Sequence, residues 1–301
     1  MYRCKANYEL CTVEYAWEPA GGAVIPEGSH IDLPGRGTTF VHDLAGGAGA
    51  PVVLLHGLGV TAGINWGQTV GQLSGTRRTI AMDLRGHGRG IDARFSLAAC
   101  AEDTVALLDA LDIDRAIIGG YSMGGPISQL VARDHPDRVI GLVQCATATS
   151  FVDPFSPNAG LAVGALSAIA ADVPSFVREQ LTRFVWRGGP RPAMAEILRE
   201  VRPTDRGSVF AAAIECVRFN SSSWFGDLEM PVAAVVTTRD AVVPAYRQLR
   251  MVRSSDDHTA HLVNGDHLVC VRQPERFARQ LGLACESVSA RSAMRHASGR
   301  L

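Results

Sequence analysis

The sequence predicts an α/β fold built on a parallel, doubly wound sheet, and two observations support this. Short apolar runs rich in β-branched residues recur along the chain, and each ends near a glycine or an aspartate. Runs that are continuously apolar, instead of alternating, are typical of strands buried on both faces. Helical patterns lie between these runs, as expected where helices cover both faces of a sheet.

The elements follow in order along the chain. An antiparallel hairpin is predicted over 30–46 from "HIDLPGRGTTFVHDLAG". Ser96 is a plausible N-cap for the helix "LAACAEDTVALLDAL", a further helix runs to about His135, and Pro274 opens the last one. The apolar runs that predict the strands lie at 51–57, 79–86, 115–122, 139–146, 231–240 and 258–267.

The alternation of strand and helix stops between residues 149 and 226, where helix-like patches and several prolines replace it. This stretch is about three times longer than one crossover needs, so we interpret it as a helical cap and not as an ordinary pair of crossover helices. The chain of 301 residues accommodates one large core with such an insertion, or two small domains. We predict an extension at 1–29, a core at 30–148 and 227–285, a cap or lid at 149–226, and a flexible tail at 286–301.

Charge and composition favour a small or neutral ligand. The 29 basic residues nearly balance the 30 acidic ones, so the chain has no overall attraction to nucleic acid or to an anionic membrane. No stretch reaches the roughly 18 apolar residues of a membrane helix, and Glu9, Glu14 and Glu18 interrupt what a signal peptide would keep apolar. The seven cysteines are scattered, which predicts reduced packing residues in a cytoplasmic protein.

Ser122 is the candidate nucleophile. "GYSMG" fits the pattern G-x-S-x-G, a weak signal in a chain with 31 glycines unless it follows a strand and opens a helix. "RAIIGG" before it and "PISQLVARDH" after it supply that context. A serine at so sharp a turn takes an unfavourable backbone conformation, and the flanking glycines let strand and helix approach closely.

A serine hydroxyl needs a base within hydrogen-bond reach and an acid to orient that base. In this architecture both arrive later in the chain, at the carboxyl ends of later strands. Asp240 ends the run 231–240, and His267 follows the last apolar run. Rival residues are less well placed, because they precede or lie within the last strand or stand directly beside His267; they are Asp256, Asp257, His258, His261 and Asp266.

Linked motifs in one order carry a family resemblance: "HGLG" (56–59), "DLRGHG" (83–88), "GYSMGG" (120–125), "TTRDAVVP" (237–244) and "GDHLVCVRQPERF" (265–277). The chain resembles serine hydrolases of the α/β-hydrolase fold, similar to esterases and lipases with a helical cap. The resemblance implies a triad of Ser122 as nucleophile, His267 as general base and then acid, and Asp240 as orienting carboxylate. It also implies an oxyanion hole from the backbone N–H groups of Leu58 and Met123. The loop reads "HGLG" and not HGGG, which argues against the lipase subgroups that use a triple-glycine loop.

For four further residues the sequence predicts a role less specifically. Trp66 either lines the substrate pocket or packs beneath the loop, and Tyr121, at the variable position of the turn, is a candidate substrate-binding residue. The glycine neighbours of His56 and His87 favour a loop-shaping role, and no third ligand has suitable spacing for a metal. We therefore expect neither a metal nor a cofactor.

The predicted activity is cleavage of a small, apolar carboxylic ester through an acyl-enzyme on Ser122. The same triad also serves carbon–carbon bond hydrolases, perhydrolases or haloperoxidases, and acyltransferases, so these stay open. A ligand receptor without catalysis is the alternative from a different class. The chain is expected to act as a monomer or homodimer, and its acyl and alcohol specificity is left open by the sequence.

Overall fold

The computed structural model describes residues 25–152 and 206–298. Within these ranges seven strands form one sheet. The strands are β1 (Ser29–Leu33), β2 (Gly37–Leu55), β3 (Arg77–Met82), β4 (Ala116–Tyr121), β5 (Val139–Cys145), β6 (Val232–Thr237) and β7 (His258–Val263). The helices are α1 (Ala62–Leu73), α2 (Leu97–Ala110), α3 (Gly124–Asp134), α4 (Arg206–Arg218), α5 (Ala245–Arg253), α6 (Val269–Arg272) and α7 (Pro274–Ala297).

The long strand β2 organises one half of the sheet. Its first part pairs antiparallel with β1, which confirms the predicted hairpin. The same part lies beside β3 with Val41 opposite Met82, whereas its last part places Leu55 opposite Met82. Strand β3 therefore sits between the two parts of β2.

The other half of the sheet is parallel throughout. The last residues of β2 pair with β4, and β5, β6 and β7 follow in that order. Because these strands all run in one direction, their carboxyl ends meet at one edge, where the connecting loops gather. The predicted α/β class with a mostly parallel sheet flanked by helices is confirmed.

Two apolar layers cover the sheet, one on each face. Successive residues of β2 alternate between them: Val53 and Leu55 pack with α2, α3 and α5, whereas Val52 and Leu54 pack with α1 and α7. All four side chains are fully buried. Burying such a side chain stabilises the fold by about 1.5–3 kcal/mol, which explains why the strands read as continuously apolar runs.

The predicted helix ends are also observed. Ser96 caps α2, since its hydroxyl oxygen accepts a hydrogen bond from the backbone N–H of Ala99 at 3.1 Å. Helix α3 ends at Asp134, two residues before Pro136, and Pro274 is the first residue of α7. Within the described ranges, none of the helices combines the length and the apolar character needed to cross a membrane.

The predicted flexible tail at 286–301 is wrong as far as residue 297. Helix α7 continues to Ala297, with Val288 fully buried and Ser292 nearly so. Arg291 and Arg295 both bind the carboxylate of Asp257, at 2.5 and 2.7 Å. The stretch reads as polar because only one face of this part of the helix meets the sheet.

Most of the predicted cap, 153–205, and of the predicted extension, 1–24, lies outside the described residues. At the described ends of the cap, Ser150 pairs with Asn220 in an antiparallel bridge. The chain therefore leaves the core and returns to it at neighbouring points, close to the end of β5. The helical cap itself stays a prediction.

Candidate active site

Ser122 occupies the tight turn between β4 and α3 and has a φ of +50°, in the left-handed region that side chains rarely adopt. Hydrogen bonds on both sides hold this conformation. The N–H of Ser122 donates to the carbonyl of Cys145, and its carbonyl accepts from the N–H of Gly125 and the hydroxyl of Thr147, each at 2.9 Å. Strain of about 1–3 kcal/mol persists only where surrounding structure enforces it.

The glycines on either side of Ser122 are sterically required. A Cβ atom added to Gly120 would overlap the carbonyl group of Gly124, and one added to Gly124 would overlap the carbonyl oxygen of Leu55. Strand and helix therefore approach each other with no room for side chains at these two positions. The sequence analysis predicted that the glycines let strand and helix approach closely, and the structure shows this.

The three predicted triad residues lie in one hydrogen-bonded chain. His267 Nε2 is 3.0 Å from Ser122 Oγ, and His267 Nδ1 is 2.7 Å from Asp240 Oδ2. Since a carboxylate only accepts, Nδ1 carries the proton, which leaves Nε2 free to accept from the serine hydroxyl. The residues follow β4, β6 and β7, at the edge where the strands end.

Asp240 is surrounded by donors. Its Oδ1 accepts from the backbone N–H groups of Val242 and Val243 at 2.8 and 2.9 Å, and its Oδ2 accepts from the Thr237 hydroxyl at 2.7 Å as well as from His267. Burial raises the pKa of the Asp240 carboxyl, but the hydrogen bond and charge of His267, together with these donors, outweigh it. The pKa is lowered overall, so the carboxylate is ionised at neutral pH.

Gln248 on α5 supports this carboxylate from behind, and no sequence signal pointed to it. Its amide nitrogen donates to the Thr237 hydroxyl at 2.7 Å and to the Val243 carbonyl at 2.6 Å. Its amide oxygen accepts from the Thr237 backbone N–H at 3.1 Å. The side chain is 1% exposed, so the loop that carries Asp240 is fixed by a buried polar network.

The predicted oxyanion donors flank the nucleophile. Met123 directly follows Ser122 and caps the start of α3, where the helix dipole favours negative charge. The loop that carries Leu58 is also near, because a Cβ on Gly57 would lie 3.5 Å from Ser122 Cβ. In the part of the chain that the structure describes, neither N–H is hydrogen-bonded to another group.

His56 and His87 shape the loops around the site, as the sequence predicted. His56 Nε2 accepts from the backbone N–H of Leu84 at 2.9 Å, and its Nδ1 donates to the Gly57 carbonyl at 2.8 Å. Burial lowers the pKa of His56 to about 4 and that of His87 to about 3, so both are neutral at pH 7. No group of His, Cys, Asp or Glu suited to a metal occurs among the described residues.

Trp66 and Tyr121 both lie beneath the site. For Trp66 this is the packing alternative of the two that the sequence left open, and for Tyr121 it corrects the assignment to substrate binding. Trp66 is fully buried on α1, with its ring 5.8 Å from that of Tyr121 and 6.0 Å from that of Phe277. Tyr121 is 3% exposed, and its hydroxyl donates to the backbone carbonyl of His267 at 2.8 Å. Both belong to the apolar layer of α1 and α7, because β4 directs Tyr121 to that face.

The rival residues have other partners. Asp257 binds the arginines of α7 described above, and His258 Nδ1 donates to the Ser255 carbonyl at 2.7 Å. Asp266 accepts from the Leu268 N–H at 2.9 Å and binds Arg272. Their rejection on sequence order agrees with these contacts.

Comparison with known proteins decides the family. The model of the family described as "Alpha/beta hydrolase family" matches residues 52–280, which is more than half of the chain. The chain belongs to the alpha/beta hydrolase family. This alpha/beta hydrolase therefore carries its Ser122, Asp240 and His267 inside the segment that matches the family.

Among its relatives, this alpha/beta hydrolase is 32% identical over 182 residues to a 2-hydroxymuconate semialdehyde hydrolase from Pseudomonas sp. strain CF600. That match covers 56% of this chain and 63% of the relative, which is less than two thirds of its length. A 2-hydroxy-6-oxo-2,4-heptadienoate hydrolase from Pseudomonas putida is 29% identical over 262 residues, covering 82% of this chain and 92% of that one.

Solved structures share the fold of this alpha/beta hydrolase. A thermophilic esterase from Thermogutta terrifontis superposes with a TM-score of 0.68 at 24% identity, covering 87% of this chain and 99% of the esterase. At this level of identity the likeness concerns the fold alone. The family is one of hydrolases.

Proposed function

We propose that this protein cleaves a small carboxylic ester through an acyl-enzyme on Ser122. The observation that carries the proposal is the hydrogen-bonded chain from Ser122 Oγ through His267 to the buried carboxylate of Asp240. A serine is a weak nucleophile unless a base stands within hydrogen-bond reach and is itself oriented. Both conditions are met at Ser122, beside the backbone N–H groups of Leu58 and Met123.

The reaction then follows from the geometry. His267 Nε2 takes the hydroxyl proton as Ser122 Oγ attacks the carbonyl carbon, and Asp240 stabilises the imidazolium that forms. The N–H groups of Leu58 and Met123 stabilise the oxyanion of the tetrahedral intermediate, and each such donor contributes about 3–4 kcal/mol. His267 next protonates the departing alcohol, and a water molecule activated by the same imidazole releases the acid.

A serine-directed fluorophosphonate tests the nucleophile directly. We expect the wild-type protein to be labelled on Ser122 and to hydrolyse 4-nitrophenyl acetate or butyrate. The variant Ser122→Ala should lose labelling and at least about 10⁴-fold of kcat, because the remaining groups cannot form the acyl-enzyme. Ser29→Ala, an exposed serine on edge strand β1, is the matched control and should behave as wild type. A wild-type protein that is not labelled and hydrolyses no ester would contradict the proposal.

Carbon–carbon bond hydrolysis is the second candidate, and the heptadienoate hydrolase relative favours it, since the alignment covers 92% of that protein. The substrate in that relative's name contains no ester, so its hydrolysis has to break a carbon–carbon bond next to a ketone. Ser122 and His267 suit this reaction too, with a carbanion equivalent as leaving group.

The two candidates are separated by comparing kcat/KM for 4-nitrophenyl butyrate and for 2-hydroxy-6-oxo-2,4-heptadienoate, whose conjugated chromophore is lost on cleavage. Preferred turnover of the ester supports the first proposal. Turnover of the dienoate with no ester cleavage would replace it by the second. A stoichiometric burst without turnover would instead support a receptor that keeps the triad.

A further inference from the structure

Two buried side chains hold the peptide groups on the two sides of Gly57, and only one of them, His56, belongs to a motif noted in the sequence. The other is Asn65, on the first turn of α1 and 4% exposed. The second of these peptide groups, between Gly57 and Leu58, supplies the N–H of Leu58, one of the two donors in the proposed mechanism. Its orientation therefore decides whether that donor points at the developing oxyanion.

His56 fixes the carbonyl side of the peptide. Because His56 Nε2 accepts from the Leu84 N–H, its proton lies on Nδ1, which donates to the Gly57 carbonyl at 2.8 Å. In a trans peptide the carbonyl and the following N–H point in opposite directions. The N–H of Leu58 is thus directed away from the His56 ring.

Asn65 fixes the preceding N–H. Its Oδ1 accepts from the backbone N–H of Gly57 at 2.8 Å, and its Nδ2 donates to Cys270 Sγ at 3.4 Å. Cys270 is buried on α6, the short helix that follows His267. One amide side chain therefore connects the oxyanion loop to the segment that carries the general base.

Helix α1 holds Asn65 in a fixed position. Thr61 caps the helix, its hydroxyl oxygen accepting from the Ile64 N–H at 3.2 Å. The Ala62 N–H donates to the buried carboxylate of Asp83 at 2.7 Å. Two anchors in the first turn leave the Asn65 side chain little freedom to shift with the loop.

We propose that Asn65 is a positioning residue for the oxyanion hole, which holds the Gly57 N–H so that the Leu58 N–H stays aligned with Ser122. This inference rests on the proposed function. Burying an amide costs free energy unless its hydrogen bonds are made. One arm of Asn65 ends on the loop that carries Gly57, and the other ends on α6, directly after His267. Misaligned donors stabilise a transition state far less than aligned ones.

The test is Asn65→Leu, with Gln68→Leu as the matched control. Gln68 lies on the same helix and is 8% exposed, and its amide atoms have no hydrogen-bond partner among the residues that the structure describes. For Asn65→Leu we expect kcat to fall about 10- to 100-fold with KM nearly unchanged. The affinity for a trifluoromethyl ketone, which forms a hemiketal oxyanion on the serine, should fall by a similar factor. Gln68→Leu should match wild type in both.

Hydrogen exchange of the Gly57 amide supplies a readout that does not depend on activity, and it should accelerate in Asn65→Leu only. Wild-type values of kcat, ketone affinity and Gly57 exchange in Asn65→Leu would overturn the proposal, as would equal losses in Gln68→Leu. Should Asn65→Leu fail to fold, Asn65→Ser, whose hydroxyl is too short to reach the Gly57 N–H, is measured in the same way. Failure of the proposed function would appear differently, as a wild-type protein that neither reacts with fluorophosphonate nor turns over substrate.

Discussion

Ser122 combines a hydrogen bond to His267 with a strained backbone conformation. Its positive φ lifts the hydroxyl out of the turn toward His267, and the conformation is kept by the carbonyl of Cys145 and the hydroxyl of Thr147. The sequence predicted this residue and its two partners, because motif, spacing and chain order all depend on local signals. It did not predict Gln248, since a glutamine inside an amphipathic helix looks the same whether it faces water or a buried carboxylate.

The strain at Ser122 has a measurable cost. The free energy of unfolding of the Ser122→Gly variant should be about 1 kcal/mol higher than that of Ser122→Ala. Glycine adopts a positive φ without steric penalty, so its folded state is the more stable one. Urea denaturation of both variants measures the difference, and both lack the nucleophile, so activity does not enter the comparison. Equal midpoints with equal slopes would show that the turn stores no strain.

Among the elements, α7 differs most from expectation. Its first half was predicted from Pro274, whereas its second half was expected to be a flexible tail. In the structure Val288 continues the buried face against β5, where a Cβ on Gly141 would touch it. Two arginines on the same helix bind Asp257 just before β7. Sequence periodicity weakens here because a helix lying on the rim of a sheet buries only a narrow stripe.

Truncation measures how much this second half of α7 contributes. A chain ending at residue 285 should lose several kcal/mol of unfolding free energy, since it gives up the packing of Val288 and two partly buried ion pairs. A chain ending at residue 298 keeps all of α7 and is the control, with an expected midpoint equal to that of the full chain. Thermal and urea unfolding report both, and equal stability of the two truncated chains would contradict the assigned packing.

At the scale of the whole molecule, the sheet brings distant segments to one edge. Ser122 follows β4, Asp240 follows β6 and His267 follows β7, and these strands are parallel neighbours or next neighbours. Loops from β2 and β3 meet at the same edge, where the buried rings of His56 and His87 stand 5.4 Å apart. Folding therefore buries two imidazoles that stay neutral.

These imidazoles make stability depend on pH. Burial lowers the pKa of His56 to about 4 and of His87 to about 3, from 6.5 in the unfolded chain. At pH values between the folded and the unfolded pKa, the unfolded chain binds protons that the folded chain does not. The free energy of unfolding therefore falls as the pH falls below about 6.5. At 1.4 kcal/mol per pH unit, each histidine should remove about 2 kcal/mol between pH 6.5 and 5.

The variant His87→Gln separates the contribution of His87 from those of other buried groups. One of these is Asp83, whose pKa is raised by burial, so that its contribution to the free energy of unfolding increases as the pH falls. We expect the free energy of unfolding, measured in urea from pH 7.5 to 5, to decline less steeply in His87→Gln than in wild type. An identical pH slope in the two proteins would show that His87 does not contribute.

The sequence by itself determined the α/β class and the order of the core elements, and it predicted Ser122, Asp240 and His267 as the triad. Apolar periodicity and glycine placement are local properties, and chain order is read directly from the sequence. Only the tertiary structure decided that Trp66 and Tyr121 lie under the site and that α7 continues to Ala297. It also showed that Asn65 accepts a hydrogen bond from the backbone N–H of Gly57. The physical reason is that which face of a helix or strand becomes buried depends on the packing of segments far apart in sequence, and no local pattern records that packing.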